Sequence, residues 1–123
     1  MSLFNECKEA LSDDFNVLEG QSEKEIINIL YQFPLSNGNI LWEELEYADF
    51  EDINAFIAAS QKNECVYIFA DDIDVPVFKT NLFLVAQNIY DVTALSPRLF
   101  IFNDKFILQP LFPTEIIRVG IKK

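Results

Sequence analysis

The sequence predicts a single α/β (α+β) domain over residues 1–123, with N-terminal helices packed on a mostly antiparallel sheet that ends in a C-terminal β-hairpin and a final strand. Three observations predict it. A chain of 123 residues, half of them hydrophobic, has the length and the apolar content of one domain with one core. Apolar residues recur at helical spacing in the N-terminal part. Runs of β-branched and aromatic residues, separated by turn residues, follow in the C-terminal part.

Helical spacing of apolar residues defines the first elements. A helix with Ser2 as its candidate cap is predicted from Leu3 to Leu11, since its apolar residues recur three and four positions apart. A second helix is predicted from Glu23 to Phe33. Ser22 and Glu25 form the S-x-x-E capping box at its start, and Pro34 ends it because proline lacks the amide hydrogen that a helix needs.

Turn signals and a third helix complete the N-terminal part. Phe15 to Leu18 predicts a short strand before the second helix, and Asn37-Gly38 predicts a tight turn after it. The third helix is predicted from Phe50 to Ser60 with Asp49 as its cap. The aromatic and acidic residues from Trp42 to Phe50 have two interpretations, an amphipathic connection with its aromatics in the core or an anchor surface for a partner.

The middle of the chain contains the clearest strand. Cys65 to Ala70 is a continuous apolar run of strand length, which predicts an inner strand covered on both faces. Cys65 itself is expected to be a small buried side chain and not a nucleophile. Asn81 to Asp91 predicts a helix, although Phe78 to Val85 would also tolerate a strand assignment.

The C-terminal part predicts antiparallel strands. Leu99 to Phe102 and Phe106 to Leu108 are short apolar runs separated by a turn at Asn103-Asp104, which is the pattern of a β-hairpin. Ile116 to Ile121 predicts the last strand. Helices therefore come mostly first and the hairpin and final strand last.

The chemistry of the chain points away from catalysis. Histidine is absent, which removes the commonest general base and the Ser-His and Cys-His nucleophile pairs. The three glycines form no G-x-G-x-x-G or phosphate-binding loop, so no nucleotide cofactor is predicted. We therefore expect a protein that is not an enzyme, has no catalytic residues and needs no cofactor.

The charge of the chain is large and unevenly distributed. The net charge is −11, and residues 1–74 hold 17 acidic and 3 basic residues, whereas residues 75–123 hold 3 acidic and 6 basic ones. A negative field repels nucleic acid and anionic membranes and speeds encounter with a basic partner. The charge therefore predicts a basic protein partner, with no direct nucleic-acid binding and no membrane association.

One acidic block is interleaved with aromatic residues. Within Glu43 to Asp52, six of ten residues are acidic, beside Trp42 and Tyr47. Aromatic residues dominate interface energetics, and carboxylates pair with lysine and arginine. The competing interpretation is that part of the block only caps a helix. The predicted partner-binding residues are Trp42, Glu43, Glu44, Glu46, Tyr47, Asp49, Glu51, Asp52, Asp71, Asp72 and Asp74.

The last three of these residues follow the predicted inner strand. Asp71, Asp72 and Asp74 would suit a carboxylate metal site, since α/β proteins often bind ligands at strand ends. The alternating D-x-D-x-D-G pattern of a calcium loop is missing. We therefore predict no metal there, and expect a solvated acidic loop or a contact with the partner.

Several segments together resemble a known family. They are Trp42-Glu43-Glu44-Leu45, the strand Val66 to Phe69 followed by Asp71-Asp72, and Asn88 to Ser96 leading to Leu99 to Phe102. In this combination the chain is similar to the small bacterial immunity proteins of contact-dependent growth inhibition and related polymorphic toxin systems. The likeness covers most of the chain.

The resemblance implies a cytoplasmic antidote. Such a protein binds the C-terminal toxin domain of its cognate effector, commonly a basic nuclease, and blocks the active site or the substrate groove. An acidic surface would then take the place of nucleic-acid phosphates. Two other interpretations stay open: a non-catalytic structural or regulatory subunit of a larger complex, and a carboxylate-dependent hydrolase.

Overall fold

A seven-stranded, fully antiparallel sheet dominates the described structure, which confirms the predicted mixture of helices and antiparallel strands. The structure is a computed structural model, and it describes residues 3–36, 39–60, 63–71, 75–96, 98–111, 114 and 116–122. The helices are α1 (Leu3–Ala10), α2 (Gln21–Leu30), α3 (Ile53–Ser60), α4 (Leu82–Gln87) and α5 (Ile89–Thr93). Two short 3₁₀ helices span Ser12–Asp14 and Trp42–Glu44.

The strands form one large sheet and one small hairpin. They are β1 (Asn16–Val17), β2 (Leu35–Ser36), β3 (Asn39–Ile40), β4 (Leu45–Phe50), β5 (Cys65–Ala70), β6 (Phe78–Asn81), β7 (Leu99–Phe102), β8 (Phe106–Pro110) and β9 (Ile117–Lys122). The order in the large sheet is β1-β6-β5-β7-β8-β9-β4, and β2 pairs only with β3. The two edges of the large sheet are therefore β1 and β4.

Two apolar layers cover the two faces of the sheet. On the four-helix face, α1, α3, α4 and α5 pack with the sheet around fully buried residues such as Ile68, Phe78 and Ile101. On the α2 face, α2 and the β2–β3 segment pack around Leu30, Phe102 and their neighbours. The alternation of side chains along each strand assigns successive residues to opposite faces.

The hairpin and the inner strand are confirmed. Strands β7 and β8 pair through Phe102 and Ile107, and the Asn103 side chain accepts hydrogen bonds from the amides of Lys105 and Phe106 at 2.9 and 3.1 Å. Strand β5 lies between β6 and β7. Its residues on the four-helix face are buried, while those on the α2 face are partly or fully exposed, because α2 covers only part of that face. The position inside the sheet is therefore confirmed, whereas the prediction that both faces are covered was wrong for the α2 face.

The two cysteines differ in exposure, and one of them differs from its prediction. Cys65 begins β5 on the less covered face and is exposed, so the expectation that it is buried was wrong. Cys7 is fully buried in the core. Burial, with a smaller contribution from the Asp91 carboxylate, raises the pKa of the Cys7 thiol to about 12, so this thiol stays protonated at neutral pH.

The starts of two helices differ from their predictions. Helix α2 begins at Gln21, ahead of the expected Ser22 capping box, and its cap is Gly20 at φ 60°, a conformation that glycine adopts without strain. Helix α3 begins at Ile53 because the Asp52 carboxylate accepts the amide hydrogen of Ala55 at 2.9 Å. Asp49 is therefore not the cap of α3.

Each of the two alternatives for residues 78–91 holds for part of the segment. Phe78–Asn81 is strand β6, and helix α4 follows directly because the Asn81 side chain accepts the amide hydrogen of Leu84 at 3.0 Å. The helical part is divided at Asn88 into α4 and α5. The predicted cap Ser2 and the predicted turn Asn37-Gly38 lie outside the described residues.

Candidate functional site

The acidic block belongs to an edge strand and its two ends. Leu45–Phe50 is strand β4 and not a connection, the first of the two interpretations, and it pairs with β9 from Leu45 opposite Lys122 to Phe50 opposite Ile117. Glu43 and Glu44 precede it in the second 3₁₀ helix, and Glu51 and Asp52 follow it. The sequence pattern missed this strand because four of its six residues are exposed, which removes the usual apolar alternation.

The exposed residues of β4 divide between the two faces of the sheet. Tyr47 and Asp49 share the α2 face with Leu45, whereas Glu46 and Ala48 share the four-helix face with Phe50. The predicted contact residues of this segment therefore do not form one flat patch. They surround the edge of the sheet.

Four side chains on the α2 face of this edge form what we call the Trp42 cluster: Trp42, Tyr47, Asp49 and Arg118. The Arg118 guanidinium lies 4.8 Å from the Tyr47 ring centre and 5.6 Å from that of Trp42. Its Nε and Nη2 atoms donate to the two Asp49 carboxylate oxygens at 2.7 and 3.0 Å. A bidentate pair with two aromatic rings beside the guanidinium holds side chains in fixed orientations.

Contacts within the Trp42 cluster shift the pKa values of its two charged side chains, Asp49 and Arg118. Hydrogen bonds from Arg118 hold the pKa of the Asp49 carboxyl below its usual value, and the same bonds raise the pKa of Arg118. Asp49 is therefore ionised and neutralised within its own chain at neutral pH.

Gly120 makes room for this cluster. It lies in β9 opposite Tyr47, and a β-carbon at its position would be only 2.9 Å from Cζ3 of Trp42 and 2.9 Å from Cδ1 of Leu45. A glycine here lets the indole ring approach the sheet closely. Sequence reasoning identified neither Gly120 nor Arg118, since both are distant from Trp42 along the chain.

Ion pairs neutralise some of the carboxylates of the N-terminal part. Arg118 pairs with Asp49 at 2.7 Å, Lys105 with Glu64 at 3.1 Å, and Arg98 with Asp71 at 3.6 Å. In each pair the base comes from the C-terminal part and the acid from the N-terminal part. Asp49 and Asp71, which are both predicted contact residues, are thus paired with arginines of the same chain.

The register of the sheet shows that the predicted contact residues do not all lie side by side. Ala70 pairs with Leu99, and Phe50 with Ile117, so Asp71 and Glu51 lie at the same end of the sheet. Glu43 and Glu44 lie at the opposite end. Three strands stand between β5 and β4, which corresponds to about 19 Å at ~4.8 Å per strand.

The acidic loop after β5 is described only in part. Asp71 is exposed, while Asp72 and Asp74 lie outside the described residues. Across the described ranges, no three histidine, cysteine or acidic residues come together as metal ligands would. A search of the same ranges finds no helix with the length and hydrophobicity needed to span a membrane.

The fold and this edge define a small α/β protein with a candidate surface for binding another protein. Residues 1–120 match the family described as CdiI immunity protein, EcoliA0-like, and the chain belongs to that family. It is thus an immunity protein of contact-dependent growth inhibition, and immunity proteins neutralise a cognate toxin. No curated protein matches the chain.

Proposed function

We propose that this immunity protein neutralises a basic toxin domain, a nuclease, by covering its active site or substrate groove with the acidic surface around β4. The observation that carries the proposal is the position of the acidic block, which surrounds an exposed strand at one edge of the sheet. The protein acts by binding alone, without catalysis and without touching nucleic acid itself.

The internal ion pairs refine the proposed contact set. Because Asp49 and Asp71 are paired with arginines, they contribute less net charge to the surface than the sequence suggests. We assign the main contacts to Glu43, Glu44, Glu46 and Glu51 because all four side chains are exposed, with Trp42 and Tyr47 as aromatic anchors. Tyr47 is 49% exposed, so its ring is available to a partner. Asp52 is a weaker candidate contact because its carboxylate caps α3. Contacts through Asp72 and Asp74 stay predictions.

A competition experiment tests the proposal. The probe is the C-terminal toxin domain of the cognate effector, with its active site inactivated, bound to a labelled RNA or DNA oligonucleotide. We expect the immunity protein to displace the oligonucleotide, because carboxylates would occupy the phosphate positions. A ternary complex of domain, oligonucleotide and immunity protein would contradict the proposal.

A charge reversal localises the effect. Glu43→Lys/Glu44→Lys should weaken binding at least about tenfold and reduce protection of cells that express the active domain. The matched control is Glu6→Lys/Glu9→Lys, which makes the same change of net charge on α1. Loss of protection by both variants alike, with both folded, would assign the effect to overall charge and not to this surface.

A further inference from the structure

We propose that β4 is a docking strand: an extended segment of the toxin that carries Lys or Arg pairs with it and extends the large sheet by one strand. This inference rests on the proposed function and names the geometry of the contact. It predicts main-chain hydrogen bonds in addition to contacts between side chains.

The hydrogen-bonding groups of β4 are satisfied on one side only. β4 pairs with β9 over all six of its residues, and among the described residues no strand pairs with its other side. In an antiparallel pair, alternate residues direct both their amide and their carbonyl group away from the neighbour. Three of the six residues of β4 therefore direct their main-chain groups away from β9. The amide of Leu45, at the start of the strand, already donates to the Trp42 carbonyl oxygen, so the groups open to a partner lie further along β4.

The two edges of the sheet are protected differently. Natural proteins protect an edge by making the strand very short, or by placing lysine, proline or a bulge in it. β1 has only two residues. β4 has six, contains no lysine, proline or glycine, and keeps a continuous register with β9 without a bulge. Within the part of the chain that the structure describes, the protection left to β4 is negative charge.

Negative charge selects the occupant. If two copies of this chain paired antiparallel through β4, Glu43 and Glu44 of one copy would approach Glu51 of the other, and like charges that face each other destabilise a sheet. The net charge of −11 on each copy adds to this repulsion. A segment that carries lysine or arginine is attracted to the carboxylates at the same positions, so a basic partner is favoured over a second copy.

The side chains of β4 indicate what such a strand would carry. On the four-helix face, Glu46 lies opposite Ile121, which is 46% exposed, and Ala48 is small and exposed. A basic residue beside Glu46 and a larger apolar residue beside Ala48 fit these positions. On the α2 face, the Trp42 cluster holds Tyr47 in place, which reduces the entropy lost on docking.

Residue-resolved amide hydrogen exchange of the full chain tests this geometry. It is measured with and without the inactivated toxin domain described above. In the free protein, the outward amides of β4 should exchange fast, and in the complex they should slow by about a hundredfold or more, as expected for newly formed main-chain hydrogen bonds. The amides of β1, at the other edge, should keep their rates.

Three outcomes would overturn the docking strand. One is a complex in which the outward amides of β4 exchange as in the free protein. Another is protection of these amides in the immunity protein alone that rises with its concentration, because a second copy would then be the occupant. We expect Glu46→Lys to weaken binding to the toxin domain at least about tenfold relative to the matched control Glu9→Lys. The third contradicting outcome is equal affinity of these two variants. The competition experiment tests separately whether the immunity protein covers the substrate groove of the toxin. The proposed function and the docking strand can therefore fail independently.

Discussion

At the scale of the residue, the contact between Asp49 and Arg118 decides how one part of the acidic block behaves. Two hydrogen bonds lower the pKa of Asp49, so folding favours its ionised form. The stabilisation is present above the usual aspartate pKa of about 3.9 and is lost as the pH falls through the lowered value. Both side chains are partly exposed, which keeps the contribution small.

A substitution makes this contribution measurable. Asp49→Asn should lower the free energy of unfolding by about 0.2–1 kcal/mol at pH 7, and the difference from the wild-type chain should shrink towards zero as the pH falls below about 3.9. Urea titrations from pH 3 to pH 7 measure it. In an Arg118→Gln background, Asp49→Asn should have little effect. A difference that grows in acid would contradict the role of this pair.

At the scale of the element, patterns with strong local signals were predictable. β5 and the β7–β8 hairpin have continuous apolar runs or turn residues, and the sequence predicts both. β4 was missed because an edge strand has little burial to impose a pattern on it. The Trp42 cluster was missed for another reason: Arg118 meets Asp49 only through the pairing of β4 with β9, across 69 positions in sequence.

Helix α3 shows how capping and partner binding can be separated. The Asp52 carboxylate caps this helix through the Ala55 amide. Asp52→Ala should therefore lower the free energy of unfolding by about 1 kcal/mol while leaving the affinity for the toxin domain nearly unchanged. Glu51→Ala removes the same charge from an exposed neighbour, and its effect on stability should stay within about 0.5 kcal/mol. Thermal and urea unfolding measure the stability, and binding titrations measure the affinity. An Asp52→Ala variant of unchanged stability and lower affinity would contradict the capping role.

At the scale of the whole molecule, folding reorganises the charge that the sequence separates. The C-terminal part supplies arginine and lysine to Asp49, Glu64 and Asp71 and so neutralises carboxylates around the sheet. The net charge stays at −11, so a negative field extends from the surface. The sequence predicts the sign of this field, while only the fold reveals which carboxylates have partners.

The negative field should control how fast the partner is found. The rate constant for association with the basic toxin domain should fall by about tenfold or more between 0.02 and 0.5 M salt, since the screening length shortens from tens of ångströms towards ~4 Å. The dissociation rate should change much less, because docked contacts exclude salt. Stopped-flow mixing measures both rates. Glu6→Lys/Glu9→Lys should slow association alone, whereas Glu43→Lys/Glu44→Lys should also speed dissociation. Equal dissociation rates for the two variants would mean that Glu43 and Glu44 attract the toxin without contacting it.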